Sequence, residues 1–168
     1  TYAEEIKTPF YGERLDGLMC ARSNDLRGIV NGIDYNEFNP ETDPYITKTY
    51  NATTFRKEKV KNKIQLQKDL GLEENPKAMM IGIVSRLTDQ KGFDLIAYVM
   101  DELCQDAVQI VALGTGDERY ENMFRHFDWK YHGKVSAQIY YDEKMSHRIY
   151  AAADAFLMPS LFEPCGLS

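Results

Sequence analysis

At 168 residues the chain has the length of one domain with a real core, and 43% hydrophobic and 12% aromatic residues place it among folded globular chains. Twenty basic against 26 acidic side chains leave a net charge of −6, which excludes a nucleic-acid surface driven by overall charge but not a local basic site for one phosphorylated ligand. Cys20, Cys104 and Cys165 are odd in number and widely spaced, so neither a disulfide framework nor a zinc pattern is expected, and a reducing cytoplasmic setting is. No signal peptide and no apolar run of membrane-spanning length appears, so no membrane partner is expected. The chain opens at "TYAEEI" without an initiator Met, which reads as a piece of a longer protein.

Residues 1–30 read as a short helical or irregular lead-in. "RGIVNGID" predicts a brief strand at residues 28–30 and a turn at Asn31-Gly32. Residues 40–55 are rich in Thr, Pro, Asp and Tyr and lack periodicity, which predicts a surface loop. In "RKEKVKNKIQLQKDLGL", Val60, Ile64, Leu66 and Leu70 gather on one side at helical pitch. Gly71 is the expected C-cap, and the six Lys and Arg side chains are expected to form a solvated face.

From residue 78 a unit repeats. "AMMIGIVS" is a short apolar run of the kind buried on both faces of a sheet. Phe93, Ile96, Met100 and Leu103 follow at helical spacing. "VQIVALG" is a second such strand, and Tyr120, Met123, Phe124 and Phe127 mark a second helix. "VSAQIYY" is a third strand, Met145, Ile149 and Ala152 mark a third helix, and "AFLMPS" is a fourth strand. This alternation predicts an α/β fold with a parallel sheet and flanking helices, whose ligands bind beyond the carboxyl ends of the strands.

The residues at those ends are the candidates. Arg86 and Lys91 follow the first strand, with Gly92 opening the next helix. Two cations beside a helix N-terminus suit a diphosphate, because backbone amides, dipole and side chains share one sign. The alternative is two ordinary exposed charges. Gly114 and Gly116 let the second strand's loop turn sharply and come close to a ligand, or simply turn into the helix, which Asp117 can cap. Tyr140 and Tyr141 can stack on a base or pack at the sheet edge. His147 reads as a helix-surface or satisfied histidine rather than a catalyst. No Ser-His-Asp or metal-ligand grouping is discernible. Glu163, in "FEPCGLS", can accept hydrogen bonds from sugar hydroxyls, or serve as a cap or turn residue.

Taken together, "TYAEEI", "GIVNGID", "IVSRLTDQKGFDLI", "ALGTGD", "SHRIYAAADAFLMPS" and "FEPCGLS" resemble the bacterial glycogen synthase and plant starch synthase family. The likeness is weakest between residues 40 and 78. It implies the partial C-terminal domain of a two-Rossmann-domain (GT-B) glycosyltransferase, with residues 1–30 an interdomain segment and 31–168 part of a Rossmann-like nucleotide-sugar domain. It implies an ADP-glucose donor, an α-1,4-glucan acceptor, retention at the anomeric carbon, and neither metal nor cofactor. By the same resemblance Arg86 and Lys91 meet the donor diphosphate and Glu163 the donor glucose. Cys165, Gly166 and Leu167 bring backbone amides to the donor, Tyr141 stacks on adenine, and Asn31 sits by the interdomain cleft. The isolated chain is then expected to be inactive. Other classes compatible with the pattern are a non-catalytic nucleotide- or glucan-binding module and a UDP-glucose-dependent sucrose or trehalose-type glucosyltransferase. A nicotinamide-dependent dehydrogenase is disfavoured by the lack of GxGxxG and of an acidic ribose partner.

Overall fold

The computed structural model of the chain describes residues 2–166. They fall into two compact units, one spanning Asp34–Pro159 and the other built from the chain before Asp34 and after Pro159. The second unit contains two short helices, α1 (Tyr2–Glu5) and α2 (Asp16–Ala21). The first contains α3 (Phe55–Asp69), β1 (Met79–Val84), α4 (Phe93–Leu103), β2 (Val108–Leu113), α5 (Glu118–Lys130), β3 (Val135–Gln138), α6 (Glu143–Ala152) and β4 (Ala155–Phe156), with a 3₁₀ turn at Asp89–Lys91.

The strands pair in the order β3-β2-β1-β4, and every pairing is parallel. Successive strand residues point to opposite faces, and the core divides accordingly. Ile81, Ile83, Ile110, Ala112 and Val135 face α4 and α5, which contribute Phe93, Ile96, Met100, Tyr120, Phe124 and Phe127. Met80, Val111 and Leu113 face the other way, toward Leu66 of α3 and Ile149 and Ala152 of α6. With helices over both faces, the strands carry continuous apolar runs rather than alternation. The Rossmann-like parallel sheet expected from the sequence is thus formed.

Four local expectations need correction. Residues 28–30 form no strand: they pair with no neighbour among the described residues, and Ile29 is 88% exposed. An exposed three-residue segment without an adjacent strand leaves its amides to water rather than to a ladder, so composition alone does not make it a strand. The last two strands are shorter than their apolar runs. β3 stops at Gln138, and beyond β4 only the Leu157 amide continues the ladder, donating to the Gly82 carbonyl at 3.0 Å. Pro159, which lacks an N–H, lies two residues further on.

The third correction concerns α3. Of the expected stripe of Val60, Ile64, Leu66 and Leu70, Leu66 is fully buried and Leu70 packs partly on the core; the rest of the buried face is Asn62, Lys63 and Gln67, so the basic residues are not all solvated. The surface it covers is itself polar. Lys63 Nζ donates to Asp154 at 2.5 Å and to the Ala78 and Pro76 carbonyls at 3.0 and 3.4 Å. Gln67 Nε2 donates to Gln109 Oε1 at 2.6 Å, and Asn62 exchanges hydrogen bonds with the Lys48 backbone. Lys59 donates to the Tyr150 and Ala151 carbonyls in the last turn of α6, where a cation also meets the negative end of the helix dipole. Burial pulls the Lys59 ammonium below its ordinary range. Gly71, at φ 68°, ends the helix in the left-handed conformation as expected. The irregular stretch 40–55 is not wholly surface: Asp43 and Ile46 are buried.

Candidate functional site

The loops that leave β1 and β2 at the carboxyl edge are joined to each other. The Leu87 amide donates to Thr115 O at 2.9 Å, and the Asp117 amide donates to Leu87 O at 2.7 Å. This contact explains both glycines. A Cβ on Gly114 would stand 1.9 Å from the Ser85 carbonyl oxygen, and one on Gly116 would stand 2.2 Å from that of Leu87. The close approach that demands glycine here is that of the neighbouring loop. Gly92 is held in the same way: it sits at φ 71°, and an added Cβ would lie 2.0 Å from Pro159 O. The chain just before α4 is therefore packed against the end of the fourth strand segment.

On this frame the two cations differ. Arg86 is exposed, and its guanidinium makes no hydrogen bond or ion pair among the described residues. Lys91 ends the 3₁₀ turn and is only 8% exposed, so it is not an ordinary solvated charge. The helix they precede, α4, has Gly92 as N-cap and so no capping side chain to occupy its first amides. Of the two acids nearby, Asp89 is matched, while Asp94 only shares a hydroxyl with it. Asp89 forms an ion pair with Arg119 and accepts from the Tyr120 hydroxyl at 2.6 Å, with Asp94 3.2 Å from the same hydroxyl. Burial, and then the hydrogen bond with Asp94, raise the Tyr120 pKa. An exposed cation, a buried one and uncapped helical amides suit an anion.

Asp117 occupies the N-cap position of α5, but its side chain makes no capping hydrogen bond. Instead Glu121 accepts from the Gly116 amide at 3.1 Å, and that bond is the main cause of its lowered pKa. Beyond β3 the two tyrosines separate. Tyr140 donates its hydroxyl to Gln138 Oε1 at 2.8 Å, whereas Tyr141 is 87% exposed and presents a free ring.

Glu163, Cys165, Gly166 and Asn31 belong to the other unit. Ser160 donates its hydroxyl to Glu163 Oε2 at 3.1 Å, and the Asn31 amide donates to Cys165 Sγ at 3.2 Å. Gly166 takes φ 77°. Phe162 stacks on Tyr2 at 5.9 Å and meets Tyr11 edge-on at 6.1 Å, while the Tyr11 hydroxyl donates to Leu161 O. The sequence brought attention to Asn31 and Cys165 but not to Tyr2 or Tyr11, which fix the segment bearing Glu163. Isolated aromatics in an aperiodic lead-in carry no signal of their own. Leu167 lies outside the described residues.

A family model described as glycosyl transferases group 1 matches residues 63–168. The chain belongs to this family. Over its full length this group 1 glycosyltransferase chain is 75% identical to the glycogen synthase of Lachnospira eligens and 65% identical to that of Lachnoclostridium phytofermentans, covering 35% of each. The catalytic domain of starch synthase IV from Arabidopsis thaliana, solved bound to ADP and acarbose, matches with a TM-score of 0.91 at 37% identity, over 99% of this chain and 34% of that one. The chain therefore spans about a third of the length of the relatives it matches. The resemblance to the glycogen and starch synthases is borne out, and so is the GT-B type of fold.

Proposed function

We propose that this chain is the donor-binding part of a glycogen synthase that moves glucose from ADP-glucose to the non-reducing end of an α-1,4-glucan with retention. The observation that carries the reading is that the loop after β1 holds the Arg86 guanidinium without a partner among the described residues, then buried Lys91, and then opens α4 with no capping side chain. When the bond from the anomeric carbon to the diphosphate breaks, its electron pair passes to the leaving phosphate oxygen. Arg86 and Lys91 meet that growing charge, and groups already in place lose nothing to reorganisation. Tyr141 offers its exposed ring to adenine. Glu163 accepts from hydroxyls of the donor glucose and stabilises positive charge on the sugar, while Cys165, Gly166 and Leu167 bring backbone to the donor. Gly114 and Gly116 shape the floor of the site, and Asn31 supports Cys165. The starch synthase IV structure, with ADP and acarbose bound, supports the donor and acceptor classes. Donor half and acceptor half must both enclose the reacting atoms to exclude water, so the isolated chain is expected to be inactive.

In the full-length enzyme, Lys91→Ala is expected to cut turnover roughly 10²–10³-fold. Glu163→Gln keeps shape and hydrogen-bond reach but removes charge; turnover should fall while ADP affinity stays near wild type. Normal turnover in Glu163→Gln would refute the sugar role, and preference for UDP-glucose in donor competition would refute the donor.

A further inference from the structure

Away from the carboxyl edge, His147 on α6 is 2% exposed. Its Nδ1 lies 2.7 Å from Asp43 Oδ2, and its ring stacks on Phe38 at 4.9 Å and 13°. Asp43 accepts, so a proton resides on Nδ1, and in the neutral imidazole the lone pair is then on Nε2. That Nε2 is buried and has no hydrogen-bond partner among the described residues, an expensive state for a polar atom. The histidine expected to be satisfied is thus satisfied at one nitrogen only. Glu143 is one helical turn before it on the same face of α6, and Glu37 comes from the turn that begins at Asp34 and ends on Phe38. Glu37, Glu143 and His147 each bring a ligand atom within 4.8 Å of the others'.

We propose that Glu37, Glu143 and His147 form a binding site for a divalent transition metal of the zinc class, with Asp43 orienting the imidazole. One imidazole and two carboxylates make a nitrogen–oxygen set that zinc accepts, whereas calcium and magnesium take oxygen alone. A carboxylate on the far nitrogen of a ligating histidine fixes its tautomer and raises its basicity. Metal–ligand bonds of roughly 2.0–2.2 Å require the three atoms to draw in by about an ångström; the two glutamates are exposed and free to rotate. The Glu37 and Glu143 carboxylates are crowded together beside the imidazole. A metal would relieve that crowding, cover the orphaned Nε2, and clip the segment before α3 onto the helix that follows Tyr141.

The test is calorimetric titration of chelator-stripped protein with Zn²⁺, read beside its melting temperature. One saturable equivalent and a raised melting temperature are expected. Glu37→Gln alters an exposed side chain and should fold; it should weaken Zn²⁺ at least roughly tenfold, and Asp43→Asn by about 10–100-fold. His132→Gln, at an exposed histidine elsewhere, should change nothing. Absence of a saturable equivalent overturns the proposal in favour of a proton shared by the two glutamates. Zn²⁺ binding that survives Glu37→Gln, or is lost in His132→Gln, overturns it too.

Discussion

On one face of the sheet α4 and α5 bury Phe93, Ile96, Met100, Phe124 and Phe127; on the other, α3 buries Asn62, Lys63 and Gln67 around Leu66. Apolar burial is non-directional and rewards volume. Polar burial is directional, and it fixes where α3 sits. All three protons of Lys63 are spoken for, by Ala78 and Pro76 just before β1 and by Asp154 just before β4. Gln109, second residue of β2, accepts from Gln67 and donates to the Glu73 carbonyl at 2.7 Å. The amino edge of the sheet is therefore closed by satisfied polar groups. The carboxyl edge leaves the Arg86 guanidinium unpaired among the described residues.

The largest effect should come from the apolar face. Phe124 is fully buried and meets Phe93 edge-on at 5.6 Å, so Phe124→Ala should cost roughly 3–5 kcal/mol in denaturant unfolding. On the polar face, Lys63→Met keeps most of the volume but leaves Asp154 with the Met80 amide as its remaining donor among the described residues, at 2.8 Å. The Asp154 side chain is 39% exposed, which moderates the loss to about 2–3 kcal/mol. A Lys63→Met protein as stable as wild type would mean that this ion pair does not hold the edge.

A finer contrast uses swaps of similar size. Met100→Leu on the apolar face should cost less than about 1.5 kcal/mol. Gln67→Leu should cost about 1–3 kcal/mol, because it strands Gln109 Oε1 and the Asn75 amide, which now donates to Gln67 Oε1 at 3.1 Å. Equal losses would erase the distinction between the two faces.

The same contrast explains what the sequence discloses. β1, β2 and α4 are legible because apolar burial leaves a periodic trace: "MMIGIV" and "VQIVAL" are continuous, and Phe93, Ile96 and Met100 recur at helical pitch. The buried face of α3 is illegible because Lys63 and Gln67 look like solvent-facing residues until their partners, 91 and 42 residues away, are brought to them. The candidate donor residues other than Asn31 are legible by order along the chain, since each follows a strand. Which of Tyr140 and Tyr141 presents a free ring is not, because that rests on the Tyr140–Gln138 hydrogen bond. Nor is the meeting of Glu37 with His147, on elements far apart in sequence and with no shared period.

If Arg86 holds the donor diphosphate as proposed, removing its guanidinium weakens nucleotide binding. The direct measurement is ADP affinity of the full-length enzyme in two variants, Arg86→Ala and Arg125→Ala, the second removing a cation of α5 already paired with Glu121 at 3.0 Å. A hydrogen bond to a charged group contributes about 1.5–3 kcal/mol, so Arg86→Ala should weaken ADP by roughly 10–100-fold. Arg125→Ala should leave it within about twofold, as a surface pair contributes little. Unchanged ADP affinity in Arg86→Ala, or equal losses in the two variants, would contradict the account.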